Sequence, residues 1–295
     1  MNNEQTAVKT TYFSIIGNAL LALIKGLAGF FGNSYALLAD AIESTSDIFS
    51  SILVLIGIKY SSKPADEDHP YGHGRAETLI TFLVVGFLII SATIIAYESI
   101  QNIGTPHDLP KPFTLYILAG IIVWKEISFR VVIRKSKETN SSSLKADAWH
   151  HRSDAITSVA AFIGISIALY FGQGYESADD WAALFASGII LFNSYKILRP
   201  ALGEIMDENV YGDLIKEIRK VSVTVPGIIE TEKCFVRKAG MKYHVDLHAI
   251  VNGSLTVKEG HSLAHRLQDA LHEQIPSLGN ILIHIEPSKV ASQVD

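Results

Sequence analysis

The chain spends one of its 295 residues on cysteine and only 19% on Asp, Glu, Lys and Arg. A single thiol, Cys234, excludes an intrachain disulfide framework and any C-x-x-C zinc motif, so a metal site here must be built from His and carboxylates. No long acidic or basic run occurs and the formal net charge is a mild -5, which argues against nucleic acid as a partner. No H-E-x-x-H or comparable hydrolytic motif is present, so metal-assisted hydrolysis has no visible apparatus. The start "MNNEQTAVKTTYF" is polar and leads into a long apolar run, so a cleaved signal peptide is not expected and the first helix should stay in the mature protein. Apolar residues fill the space that charge leaves: 48% of the chain is hydrophobic and the mean hydropathy is positive, more than a soluble protein of this length needs. A membrane protein is the expectation.

Crossing a hydrocarbon core of ~30 Å takes about 20 mostly apolar residues in a helix. Six runs of that kind lie near 12–31, 34–60, 78–100, 113–133, 144–171 and 181–198. The fourth contains Lys125, Glu126 and Arg130 in "VWKEISFR", which reads as a spanning helix with one face against protein or water, or less favourably as a re-entrant segment. Lys59, Lys63, Arg75, Arg130, Arg134, Lys135, Lys137, Lys145, Lys196 and Arg199 fall in or beside alternate connections, whereas the opposite connections offer only Lys111. Because Lys and Arg near helix ends favour the cytoplasmic side, both termini are expected there.

After Arg199 the pattern becomes that of a soluble domain. Residues 209–224 read as an amphipathic helix, "IIETEKCFVRKAG" and "KYHVDLHAIV" as two strands around a turn, "TVKEGHSLAHRLQDALHEQI" as a helix and "NILIHIEP" as a last strand. The domains are therefore expected at 1–203 (membrane) and 204–288 (αββαβ, two layers), with 289–295 as a tail.

The chemistry gathers in two related segments, "LADAIESTSDIFSS" at 38–51 and "KADAWHHRSDAITS" at 145–158. Both share Ala-Asp-Ala and a later Ser-Asp, and Glu43 in one stands where His150 stands in the other. A charge within a membrane costs about 2.5 to 3.5 kcal/mol even on the lenient insertion scale, so Glu43, Asp47 and Asp154 facing lipid would cost roughly 8 to 10 kcal/mol together. They must face one another, water or a cation. Glu43 and Asp47 are i and i+4, as are His150 and Asp154, so each pair projects from one helix face. At 1.5 Å per residue all four fall in one layer of the membrane, slightly to the cytoplasmic side of its middle. The second helix runs inward and the fifth outward, so the two motifs face each other antiparallel, as in transporters built on inverted repeats.

Three carboxylates and one imidazole suit a divalent first-row metal. Tetrahedral Zn²⁺ fits most naturally, the oxygen-rich set leaves Fe²⁺ or Mn²⁺ open, and Ca²⁺ fits poorly because His is a poor ligand for it. The competing account makes the same residues a helix-packing network or a metal-free proton relay. His151, i+3 from Asp154, rivals His150, while Asp40 and Asp147 read as supporting or capping residues rather than ligands.

Two further clusters stand out. The loop "SSKPADEDHPYGHGRAETL" carries Asp66, His69 and His73 within eight residues, bent by Pro70 and Gly72, and reads either as a closing metal site or as a solvated acidic loop. In the terminal domain, period two places His244, Asp246 and His248 on one strand face and His284 with Glu286 on another, with His261 early in the last helix able to join.

Taken together, "ADAIESTSD", "WHHRSD", "HPYGHGRAETL", six apolar helices and a terminal αββαβ domain make nearly the whole chain resemble the cation diffusion facilitators, most of all the bacterial members that export zinc and iron. The resemblance implies an all-α six-helix transmembrane bundle with an α+β ferredoxin-like cytoplasmic domain, forming a homodimer in the bacterial inner membrane. It implies Zn²⁺ or another divalent transition metal as substrate and regulatory ion, H⁺ as the coupled ion, and alternating access. It makes Glu43, Asp47, His150 and Asp154 the transport site, Asp66, His69 and His73 a loop site, and His248, His261, His284 and Glu286 a cytoplasmic-domain site. Arg75 and Asp207 match a charge interlock that holds protomers together at the membrane surface. Two departures bear on metal choice and stoichiometry: Glu43 stands where relatives commonly have His or Asp, and Glu232 where some place His. The rivals from other classes are an intramembrane metalloenzyme, improbable because four protein ligands leave no open position for water, and a membrane-bound metal sensor.

Overall fold

The computed structural model describes residues 3–31, 35–103, 112–172 and 177–288. The expected tail at 289–295 and Lys111 lie outside the described residues. Six long helices come first: α1 (Asn3–Phe31), α2 (Tyr35–Ser61), α3 (Arg75–Asn102), α4 (Phe113–Thr139), α5 (Ser142–Phe171) and α6 (Ala178–Ile205). Each holds one of the six apolar runs. The charged fourth run is an unbroken helix of 27 residues, not the broken hairpin that a re-entrant segment needs.

The helices sort their side chains inside out. Exposed positions on α1 include Ile16, Leu20, Leu23 and Leu27, and on α3 Leu83, Phe87, Ile90 and Ile94, each set recurring every three or four residues along one helix face. Buried positions include Thr11, Ser14, Asn18, Ser51, Asp147 and His151. A soluble bundle would reverse that distribution, and a bilayer explains it, because lipid solvates the outer apolar face while the interior pairs its own polar groups. Among the described residues, four stretches are long and apolar enough to cross a membrane: Asn3–Leu27, Arg75–Asn102, Ser142–Phe171 and Asp180–Ile205. Close approach of helices is built in as well. A Cβ on Gly17 of α1 would stand 2.8 Å from the ring of Trp124 on α4, so only glycine admits the indole at that crossing.

The C-terminal part adds α7 (Gly212–Ser222), β1 (Glu230–Ala239), β2 (Lys242–Val251), α8 (Val257–Gln274) and β3 (Leu278–Pro287). This is the αββαβ order expected from the pattern. The sheet order is β1-β2-β3, with β1 and β2 antiparallel and β2 and β3 parallel across the α8 crossover. A full ferredoxin-like unit runs β-α-β-β-α-β, one strand more at its start than the described residues contain. Val236, Val245, Leu247 and Ala249 from the strands pack against Ile218 of α7 and Leu263, Leu267 and Leu271 of α8. The start of α8 is set by a capping box in which Thr256 N–H donates to Glu259 Oε2 at 2.8 Å and Glu259 N–H donates to Thr256 Oγ1 at 3.3 Å.

Contacts divide the chain into two compact units, Met1–Pro64 with Arg75–Leu202, and Ala65–Gly74 with Gly203–Asp295. A boundary drawn at 203/204 assigns the loop 65–74 to the membrane part, whereas its contacts place it with the C-terminal unit. The cause is visible at Gly74, where an added Cβ would meet the Ala239 backbone at 2.7 Å, and at Arg237, whose guanidinium lies 5.7 Å from the centre of the Tyr71 ring.

Candidate metal centres

In the helical unit, α2 and α5 bring Asp47, His150 and Asp154 together, with one ligand atom from each lying within 4.8 Å of the others. His150 Nε2 is 2.8 Å from Asp47 Oδ1 and 4.0 Å from Asp154 Oδ2. Glu43 lies on α2 one turn before Asp47, but its side chain, like that of Asp40, is outside the described residues. A cavity of about 280 Å³ opens onto the cluster, lined on the α3 and α6 side by Phe87, Leu88, Ser91 and Ile190 and near the carboxylates by Ser50, Ser153 and Thr157.

The adjacent histidines have different hydrogen-bond partners. One residue along a helix is a rotation of about 100°, so the two rings leave the helix in different directions. His150 turns to Asp47, whereas His151 Nε2 is 3.1 Å from Ser14 Oγ and 3.8 Å from Asp147 Oδ2. Asp147 is fully buried and accepts from Ser14 Oγ at 2.8 Å and Ser51 Oγ at 3.1 Å, which places it in a packing network beside the cluster.

Lys125 is the group whose part was not legible beforehand. Its Nζ donates to Asp154 Oδ2 at 2.7 Å and to Asp47 Oδ2 at 2.9 Å. The sequence signal was there, a lysine inside an apolar helix, but the pattern named no partner for it.

In the C-terminal unit the loop closes on itself. Asp66 Oδ1 accepts from the His69 backbone N–H at 2.7 Å and lies 3.1 Å from His69 Nδ1, while Asp66 Oδ2 lies 3.4 Å from His73 Nε2. The Asp66 carboxyl is held below the usual carboxylate range, first by that backbone N–H and then, against some desolvation, by the two imidazoles. All three side chains offer atoms within 4.8 Å of one another.

On the sheet, the parallel register sets His248 opposite His284 and Ile250 opposite Glu286. His248 Nδ1 is 2.5 Å from Glu286 Oε1, and His284 Nε2 is 3.8 Å from the same oxygen. Glu286 is held below its ordinary value, first by the hydrogen bond to His248, and Glu232, which stands where some relatives place His, lies on β1. His261 does not join this group within the chain; its Nε2 lies 3.1 Å from Nε2 of His265, one turn on along α8. Arg75 and Asp207 fall in different units.

Residues 11–206 match the family described as "Cation efflux transmembrane domain", and residues 210–288 match "Cation efflux protein, cytoplasmic domain". The chain is 31% identical over 288 residues to the manganese efflux system protein MneP of Bacillus subtilis, covering 96% of this chain and 97% of that protein. It is also 31% identical over 280 residues to the cation-efflux pump FieF of Yersinia enterocolitica, covering 92% and 90%. Against the magnetosome protein MamB of Paramagnetospirillum magneticum the identity is 26% over 285 residues, covering 96% and 95%. Among solved structures, "MamM-CTD 215-293" aligns with 26% of this chain and 99% of its own, at 19% identity and a TM-score of 0.25.

Proposed function

The chain belongs to the cation diffusion facilitator family, membrane transporters of divalent metal cations and not enzymes, and on that premise we propose that it exports Zn²⁺ from the cytoplasm in exchange for protons. Fe²⁺, Cd²⁺ and Co²⁺ are its further candidate substrates. The observation that carries this reading is the cluster of Asp47, His150 and Asp154, buried or half-buried in the helical unit and facing a cavity. Two buried acidic groups are costly unless a cation compensates them; Lys125 does so from one helix, and the cavity beside the same oxygens gives a metal a way to reach them.

Glu43, on the same helix, is proposed as the fourth ligand. To bind M²⁺, His150 must be neutral and the carboxylates ionised, so metal and protons compete for one set of groups. An outward-open state exposed to external protons releases the metal; an inward-open state discharges the protons and reloads. Six membrane crossings with both termini cytoplasmic, in a bacterial inner membrane, complete the reading. The loop site of Asp66, His69 and His73 and the sheet site of His248, His284 and Glu286 bind metal as regulatory ions, with His261 supplied across a homodimer. The family label of the terminal domain, ZT_dimer, supports that dimer, and Arg75 with Asp207 is proposed as the interlock that holds it at the membrane surface.

A second reading, Mn²⁺ in place of Zn²⁺, is favoured by one specific pairing of observations. The donor set is rich in carboxylate, which suits Mn²⁺, and one relative is named for manganese efflux.

Reconstitution tests both. Purified protein in proteoliposomes with an imposed pH gradient is assayed for uptake of Zn²⁺, Mn²⁺, Fe²⁺, Co²⁺ and Cd²⁺. Zn²⁺ uptake that collapses with the gradient and with Asp47→Ala plus Asp154→Ala is expected. Uptake of Mn²⁺ in preference to Zn²⁺ selects the second reading, flux surviving the double substitution removes the site, and movement of no metal favours a sensor.

A further inference from the structure

Lys125 is the largest fully buried side chain among the described residues, and it stands on α4, a helix that supplies none of the proposed ligands. An ammonium has three N–H donors. Here two go to Asp154 Oδ2 and Asp47 Oδ2, at 2.7 and 2.9 Å, and a third to Asn18 Oδ1 at 3.2 Å. The cavity reaches the same two carboxylates from the α3 and α6 side, and Lys125 is not part of its lining. A metal arriving through the cavity and an ammonium reaching across from α4 therefore compete for the same oxygens from opposite sides.

We propose that Lys125 is a tethered competitor of the transported metal: its ammonium fills the cation position between Asp47 and Asp154 while the metal is absent, and metal entry requires it to withdraw. The proposal rests on the transport-site reading above and deepens it. The physical need is plain. Two carboxylates buried without a counter-charge would make the empty carrier expensive to hold together, and a lysine held close by supplies that charge without an ion from solution. A dication and an ammonium a few ångströms apart repel strongly in a poorly screened interior. Lys has the geometry to yield, since its charge rides on a flexible four-carbon stem. Monovalent ions, with no more charge than the ammonium they would displace, gain little by entering. The competitor thus weakens metal binding while easing metal release.

The test is calorimetric titration of the detergent-solubilised full chain with Zn²⁺ and, separately, Mn²⁺. The binding step that disappears in Asp47→Ala with Asp154→Ala is the transport-site step. Lys125→Met, close in volume and uncharged, is expected to tighten that step by about tenfold or more while lowering flux in proteoliposomes, a combination that loosened packing does not produce. Wild-type or weaker affinity in Lys125→Met overturns the competitor while leaving the metal site standing. A double carboxylate variant that titrates like wild type overturns the site itself, and the competitor with it. Should Lys125→Met fail to fold, Lys125→Gln keeps a donor for Asn18 and is read in the same way.

Discussion

His150 Nε2 lies 2.8 Å from Oδ1 of Asp47, a contact that joins the two halves of a sequence repeat across α2 and α5. Neither half is a site alone. On α2 the motif contributes a carboxylate whose other oxygen faces Lys125, and on α5 it contributes an imidazole and the second carboxylate of that ion pair. The repeat therefore divides a polar cluster between two helices, so that relative movement of α2 and α5 would alter the distances within the proposed site.

Asp47→Asn keeps the size of the side chain and a carbonyl oxygen to accept from Lys125, but removes the charge. Metal flux in proteoliposomes is expected to fall to background, because an amide is a poor partner for a divalent cation. The protein should remain folded, since Asp154 still pairs with Lys125; a loss of about 1–3 kcal/mol is expected from weakening one buried charged contact. Thermal unfolding in detergent checks the second part. Flux near wild type would remove Asp47 from the site.

Spacing alone was enough to expect Asp47, His150 and Asp154 close together, because i, i+4 pairs on two neighbouring helices each project from one face, and the three do lie together. It could not decide between His150 and His151, since the answer depends on which neighbour each face meets, α2 or α1. Lys125 was conspicuous as a charge inside an apolar helix, yet its partners stand 78 and 29 residues away in sequence, and only packing brings them within reach. The loop at 65–74 was legible as chemistry but not as location. Its attachment to the C-terminal unit comes from a glycine against the Ala239 backbone, a close approach no pattern announces.

The loop should show a pH dependence of definite sign. Asp66 has a folded value below its ordinary one, so its contribution to loop order is complete above the ordinary carboxylate value of about 3.9 and is lost as pH falls through the depressed folded value. Amide exchange of residues 66–74, corrected for intrinsic rates, should show protection lost progressively as pH falls below about 4. Asp66→Asn should lose that step, its protection at neutral pH being lower already.

Cys234 offers a reporter of the terminal domain. It is buried in β1, and burial pushes its thiol up to about 11. At pH 8 only about one thiol in a thousand is then ionised, and the thiolate is the reactive form. Reaction with a disulfide reagent should be negligible in the native protein and complete on denaturation, and its onset on heating should follow unfolding of the sheet. Rapid labelling at pH 8 without denaturant would contradict the burial.

Glu77 ties α3 to the start of α5. Its Oε1 accepts from Ser141 Oγ, from Ser143 Oγ at 3.1 Å and from the Ser143 backbone N–H at 3.3 Å, while Ser141 Oγ accepts from Leu144 N–H at 3.1 Å. A fully buried carboxylate thus serves donors that a helix N-terminus would otherwise leave unmet. Glu77→Ala should cost about 1–3 kcal/mol by stranding those donors, and Glu77→Gln less. Melting of the three proteins in one detergent orders them; an alanine variant as stable as wild type would deny the bracing role.

The sheet cluster makes a prediction about assembly. His248, His284 and Glu286 offer three ligand atoms within 4.8 Å inside one chain, whereas His261 pairs with His265 instead. Three protein ligands leave one tetrahedral position open. His248→Ala with His284→Ala should therefore remove one metal equivalent per chain from a Zn²⁺ titration of the full-length protein. His261→Ala should leave the stoichiometry intact but weaken that step, and only where protein concentration is high enough for two chains to associate, because His261, which lies against His265 in its own chain, is proposed to join the site from a second one. Titrations at concentrations spanning the dimerisation midpoint separate the cases. A His261→Ala effect equal at every concentration would place that histidine in its own chain's site, and no effect at any concentration would leave the fourth position to water.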